Sequence, residues 1–339
     1  MQFREINPSP RLLMCPGPTD ADPRVLRAMS APILGQFDPE FTSLMNETME
    51  MERRLFQTKN EQTYVVNSTS RGGLETVLTA AICPGDKVLI PAFGRFGYLL
   101  NEILARSGVD IRVDEWGIDA CIGGTQKCIS APSGTALITY NKRIEEIIAK
   151  RKRVEKGIRA ESDVDGTLPP IPSNYLDLAQ LQDYWSPRRL NHHTETTSAQ
   201  YGVHEALRII LQEGLEARFA RHILNDKALC AGLEAMGLKI FGDRKHKAPV
   251  VTAFHIPEGM SGPALRSDIL NHFGIELATS FGPLDGKVIR IGNMGFSSQK
   301  RNVLLTLGAL EAVLLSHKVK VPSGDAVAAA LAVYKEADK

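Results

Sequence analysis

The chain has 339 residues, 43% of them hydrophobic and 23% charged, and a formal net charge of +1. That balance predicts an ordinary globular protein, its length two domains or one large domain with an appendage, and nothing in it calls for nucleic acid or a membrane surface as a partner. No apolar run reaches transmembrane length, Met1-Gln2-Phe3-Arg4-Glu5 lacks a signal-peptide pattern, and the five cysteines form no CxxC pair, which predicts reduced thiols and a cytoplasmic location.

Residues 1–20 read as a proline-rich, irregular segment. Pro23 suits the first turn of a helix that runs to about Ser30. A second helix is predicted from about Pro39 to Gln57, with apolar positions at Phe41, Leu44, Met45, Met49 and Leu55. Thr63–Val66 and Lys87–Ile90 read as strands, and Gly73–Ile82 and Phe96–Ser107 as helices. This alternation predicts an α/β fold with a large, doubly wound, mainly parallel sheet. A short apolar strand then runs into Lys127. Ile144, Ile147, Ile148 and Val154 space out another helix, whose basic run Lys150–Arg153 reads as a solvated face. Tyr201–Gln212 predicts a long helix, extended by Leu215–Met236. From about residue 238 short strands (250–255 and 288–291) alternate with helices (262–273 and 298–317), a smaller α+β pattern. Pro322–Lys339 is Ala-rich and suits a peripheral helix. The expected division is 1–20, a large domain over 21–212, a small domain over 213–317, and a tail over 318–339.

Several segments carry candidate chemistry. Lys127 follows a strand among small and apolar neighbours. Partial desolvation there lowers a lysine's pKa and favours the free amine, which can attack a carbonyl. A surface lysine at a strand-to-turn junction is the competing reading. Asn67-Ser68-Thr69-Ser70-Arg71-Gly72-Gly73 joins a strand to a helix, where hydroxyls and free N–H groups suit a phosphate. An N-cap with turn glycines explains it equally well. Phe93-Gly94-Arg95-Phe96-Gly97 places an aromatic where a flat ring could stack, or simply a core residue. Asn191-His192-His193-Thr194-Glu195 invites a zinc reading, but no ligand set completes it, so no metal is expected. Arg290, inside the apolar strand 288–291, suits a substrate carboxylate or a structural ion pair.

Taken in order, Pro16-Gly17-Pro18-Thr19, Ser68-Thr69-Ser70-Arg71-Gly72, Gly94-Arg95-Phe96-Gly97, Gln126-Lys127, Pro132-Ser133-Gly134, His192-His193-Thr194 and Arg290-Ile291-Gly292 resemble the class V branch of fold-type I pyridoxal-phosphate aminotransferases. The resemblance covers about Leu12 to His317. Within the branch it is strongest to (S)-ureidoglycine–glyoxylate aminotransferases of purine breakdown, through Ile33–Pro39 and Asn191. The resemblance implies pyridoxal 5'-phosphate as cofactor and Lys127 as the residue that joins its aldehyde. It assigns Thr69, Ser70, Arg71 and Gln126 to the cofactor and its surroundings, with Phe96 stacking on the ring. It places Thr194 on the cofactor phosphate of the other subunit in a homodimer, and Arg290 on a substrate carboxylate. Gln36 and Asn191 are amides, which supply donors and acceptors for a ureido group. The implied reaction is a ping-pong transfer of an amino group to glyoxylate, giving glycine.

One departure stands out. The family places a strand ending in an Asp for the ring nitrogen before the lysine strand, and this sequence has none. The gap amounts to roughly 70 residues, two to three βα units, with its seam near Arg112–Val113. Either the stretch exists outside the residues read, or the chain lacks it. The first is preferred, because a deletion would expose apolar strand edges, and intact mass separates the two. The alternatives carried forward are an alanine– or serine–glyoxylate (or pyruvate) aminotransferase and an inactive scaffold. Cysteine desulfurase is a more distant option, since no nucleophilic cysteine stands out.

Overall fold

The computed structural model describes residues 3–86, 88 and 119–338. The expected strand over 87–90, the helix over 96–107, Phe96 and the Arg112–Val113 seam lie outside these residues. The elements in chain order are β1 (Leu12–Leu13), α1 (Pro23–Met29), α2 (Pro39–Phe56), β2 (Thr63–Val66), α3 (Ser70–Ala81), β3 (Ala120–Gly124), β4 (Ala136–Tyr140), α4 (Lys142–Arg151), α5 (Leu178–Trp185), α6 (Thr197–Glu213), α7 (Leu215–Ala235), β5 (Val251–His255), α8 (Gly262–Phe273), β6 (Ile275–Glu276), β7 (Ala278–Thr279), β8 (Val288–Gly292), α9 (Lys300–Ser316) and α10 (Asp325–Ala337). Predicted helix and strand positions agree with these to within a few residues. The helix α5 was not predicted: it is only eight residues long, too short to show a clear period.

The chain divides into two compact units: Arg24–Thr125 with Ser133–Leu211, and Met1–Pro23 with Gln126–Pro132 and Gln212–Lys339. In the first unit the described sheet has the order β2-β4-β3. Both β2 and β3 run antiparallel to β4, and so parallel to each other. All residues of β2 and β4 are buried, which explains why they read as unbroken apolar runs. Tyr64 and Tyr140 share a 2.7 Å hydroxyl hydrogen bond across this pair, so neither buried phenol is left unpartnered. The helix α2 starts where Asp38 accepts from the Glu40 N–H at 2.8 Å, with Pro39 at the first turn, and ends on Gln57 in the left-handed region.

One charge sits where the sequence suggested solvent. Arg151 was expected on a solvated face, but it is only 2% exposed. Its Nη1 donates to the carbonyls of Thr79, Ala80 and Ile82 at 2.7, 2.9 and 2.9 Å, and Nε and Nη2 donate to Pro169 and Pro170 at 3.0 and 3.3 Å. The last carbonyls of α3 have no partner within the helix, and a guanidinium at that end satisfies them.

Glu52 on α2 is fully buried, and neither carboxylate oxygen has a hydrogen-bond partner among the described residues. Burial drives its pKa well above 4.5, opposed by the nearby Arg53 charge. Below the unfolded-state pKa both states are protonated. Above it the folded state must hold a proton that the unfolded state has released, so stability falls with rising pH until the folded-state pKa is passed. Glu52→Gln is therefore expected to raise the melting temperature, by an amount that grows as pH rises above 4.5. Melting curves from acid to neutral pH check this, and a pH-independent difference would refute it.

In the second unit, β5-β8-β7 forms an antiparallel sheet and β1 pairs parallel with β6. Its core gathers Met14, Leu229, Leu233, Phe254, Ile289, Ile291, Leu307 and Leu310. The helix α10 buries Ala326, Ala330 and Tyr334 there. A Cβ on Gly232 would come within 2.9 Å of the Ala326 carbonyl, so that glycine lets α7 and α10 approach closely.

Candidate active site

Lys127 belongs to the second unit. It lies in the turn that follows β3, and its Nζ donates to the Pro16 carbonyl. The turn is tied to the N-terminal segment at both faces. The Thr19 N–H donates to the Gln126 carbonyl at 3.1 Å, and the Thr19 hydroxyl donates to the Lys127 carbonyl at 3.0 Å. Gly17 has φ +110°, and a Cβ there would fall 2.3 Å from Lys127 Nζ. The lysine thus rests on bare backbone that only glycine provides. Burial lowers its pKa and the Arg290 charge adds to this, while Cys15 and Cys128 oppose it. The direction favours the free amine expected of a carbonyl-attacking lysine.

Arg290 is in the same unit, on β8. Its Nε and Nη2 both donate to the Thr279 carbonyl, at 3.0 and 2.8 Å, and its guanidinium lies 4.7 Å from the centre of the Phe281 ring. The guanidinium plane is fixed before any substrate arrives.

The other described candidates belong to the first unit. Thr69 caps α3 with an extended backbone and no side-chain capping bond, and it is exposed together with Arg71. A Cβ on Gly72 would lie 1.6 Å from Ser68 Oγ, so the turn needs that glycine. Gln36 and Asn191, 155 residues apart, meet: Gln36 Nε2 donates to Asn191 Oδ1 at 2.7 Å. Gln36 Oε1 in turn accepts from the Glu195 N–H at 2.9 Å. Asn191 and Thr194 are exposed.

Two residues of this site lay inside the motifs without being singled out. Asn67 follows β2 and leads into the Ser68–Gly72 turn. Its Nδ2 donates to Glu195 Oε1 and contacts His193 Nε2 at 2.5 Å, and its Oδ1 accepts from the Thr196 hydroxyl at 2.8 Å. Glu195 has a fully buried side chain and also accepts from the Thr196 N–H at 2.9 Å and Gln200 Nε2 at 3.0 Å. A carbonyl and an amide set the protons of this network. His192 Nε2 lies 3.2 Å from the Asn174 carbonyl and must donate to it. Asn67 Nδ2 can only donate, so His193 Nε2 accepts from it and the His193 proton sits on Nδ1, which lies 2.8 Å from His192 Nδ1. Burial lowers the His193 pKa, partly offset by Glu195, in keeping with a neutral ring. An Asn leading into the Ser/Gly turn and a Glu close after the His-His pair were the available signals, but sequence spacing cannot show that residues 67 and 195 touch.

The fold is that of pyridoxal-phosphate-dependent aminotransferases of fold type I, class V. The solved ureidoglycine–glyoxylate aminotransferase of Bacillus subtilis superposes with a TM-score of 0.90 at 46% identity, over 98% of this chain and 100% of that one. An alanine–glyoxylate aminotransferase from Nostoc sp. gives 0.84 at 29% identity, over 93% and 98%. No protein-family model matches the chain. The (S)-ureidoglycine–glyoxylate transaminase of Bacillus subtilis is 47% identical over 409 residues, covering 99% of this chain and 98% of that protein. The chain belongs to the (S)-ureidoglycine–glyoxylate transaminase family. That alignment spans 409 positions while the chain has 339 residues, so the relative carries a stretch without counterpart here.

In each unit, taken by itself, described residues suit one part of the cofactor. Lys127, on a backbone cradle that a Cβ would fill, suits the aldehyde, and the uncapped start of α3 suits the phosphate. Phe96, expected against the ring, lies outside the described residues.

Proposed function

We propose that the chain transfers the amino group of (S)-ureidoglycine to glyoxylate, giving glycine, in two half-reactions that share one site. The observation that carries this is the joined pair of Gln36 and Asn191, two amides held 2.7 Å apart in a chain of this family. When bound, pyridoxal phosphate withdraws electrons from the substrate carbon. Lys127 would hold the cofactor aldehyde through Nζ, and the same amine, once free, would take and return the proton at the substrate carbon. Thr69, Ser70 and Arg71 bind the phosphate, with Gln126 beside the lysine and Phe96 against the ring. Arg290, already immobilised on Thr279, binds the donor carboxylate in a bidentate fork. Thr194 reaches the phosphate of the other subunit in a homodimer. The five free cysteines support a cytoplasmic location, and among the described residues no helix is long and apolar enough to cross a membrane.

A donor panel with glyoxylate as acceptor tests the reading. Ureidoglycine is expected to exceed alanine in kcat/KM, and Asn191→Tyr is expected to lower that preference by about 10- to 100-fold, the worth of one or two hydrogen bonds left unmade. Preference for alanine, unchanged in Asn191→Tyr, would assign the chain to alanine transamination instead. A second reading, a scaffold without turnover, draws support from the 409-position alignment of a 339-residue chain. It predicts no product from any donor.

A further inference from the structure

The amide pair has a polarity, and one backbone group sets it. A peptide N–H can only donate, so the 2.9 Å bond from Glu195 N fixes oxygen, not nitrogen, on that side of the Gln36 amide. Gln36 Nε2 is then turned to Asn191, which must meet it with Oδ1. Asn191 Nδ2, with two hydrogens, is the end of this exposed amide that remains directed away from Gln36. We propose that Glu195 is a positioning residue that orients Gln36 and Asn191 to donate to a carbonyl oxygen, so that the site reads the C=O of a ureido group rather than its terminal NH2. The proposal rests on the functional reading above and deepens it.

The anchoring is what makes Glu195 suited to this. Its backbone is held because its carboxylate takes donors from Asn67, Gln200 and the Thr196 N–H. Asn67 has no freedom to release it. Both Nδ2 hydrogens are used, on Glu195 and on His193, and Oδ1 is held by Thr196. With the carboxylate removed, Asn67 and Gln200 lose an acceptor and the segment that presents the 195 N–H loses its tie. Gln36 is then free to turn over, and Asn191 with it.

Two inert probes read the polarity directly: N-carbamoylglycine, with the ureido group and no transferable amine, and N-acetylglycine, which keeps the carbonyl and lacks the terminal NH2. Binding to the cofactor-loaded enzyme is measured by calorimetry for the wild type, Glu195→Ala and Glu195→Gln. The wild type is expected to bind the two probes within about threefold of each other. Glu195→Ala is expected to weaken both by about tenfold, a loss of the order of one hydrogen bond, with a several-fold smaller loss in alanine kcat/KM. If Glu195→Ala fails to fold, Glu195→Gln, which sets an amide against the donors of Asn67 and Gln200, is expected to give a weaker loss of the same pattern. Rejection of N-acetylglycine by the wild type overturns the proposal. So do unchanged affinities in the variants, or equal losses for the probes and for alanine. A wild type that prefers ureidoglycine yet binds neither probe overturns it too. A wild type with no preference for ureidoglycine overturns the functional reading instead.

Discussion

Lys127→Ala is expected to abolish the absorbance of covalently held cofactor and to cut turnover by at least about 100- to 10,000-fold, the range for removing one positioned proton carrier. Its Nζ rests on the Pro16 carbonyl and the bare backbone of Gly17, and among the described residues the groups whose charges act on it, Cys15, Cys128 and Arg290, offer no substitute. Arg290 cannot act as a base. The two thiols have pKa values pushed up by burial, so neither supplies a ready base at neutral pH. The phosphate is proposed to sit on the α3 turn, away from this substitution, so the variant should still bind the cofactor, reversibly and without the covalent band. Absorbance spectra with and without cofactor, followed by turnover with the best donor, check both parts. Turnover within tenfold of the wild type would remove Lys127 from the chemistry.

Arg151→Met is expected to give the largest loss of stability, about 3–5 kcal/mol, as for other buried charged groups cut out of their network. Methionine fills much of the same space, so volume is not the cause. What is lost is a donor set that five backbone carbonyls share: Thr79, Ala80 and Ile82 at the end of α3, and Pro169 and Pro170. A buried carbonyl without a partner costs about 1–3 kcal/mol, more when water cannot reach it. Because α3 also opens with the phosphate turn, the cofactor should weaken along with the fold. Denaturant titration measures the first effect, and a change under about 1 kcal/mol would show that water satisfies these carbonyls after all.

How far the sequence is legible follows from what each signal depends on. The helix α2 and the strands β2 and β8 were readable because their periods and caps are local: Phe41 and Met45 on one face, Asp38 before Pro39, and short runs rich in β-branched residues in the strands. Lys127 was readable as a candidate because its small, apolar neighbours already imply desolvation. Its pairing with Gly17 was not, since a tight backbone cradle across 110 residues leaves no periodic trace. Gln36 and Asn191 were named as separate amides, and only folding brings them to 2.7 Å. Arg151 was misread for the same reason. In a run of four basic residues it looks like its neighbours, and its burial depends on carbonyls from residues 79–82 and 169–170 that no local rule links to it.

The second unit is built from three separated pieces of chain, and this has a consequence for how the protein is made. Met14 accepts from the Gly292 N–H at 2.8 Å, and a Cβ on Gly292 would lie 2.0 Å from the Cys15 carbonyl. The segment that carries Pro16 and Gly17 against Lys127 is therefore closed by residues synthesised about 280 positions later. At about 5–20 residues per second, that is a wait of roughly 15–60 s on the ribosome. The first unit can condense during that interval, whereas the lysine's seat is completed only when β8 emerges, so a nascent chain carries its reactive amine without the finished cradle until then.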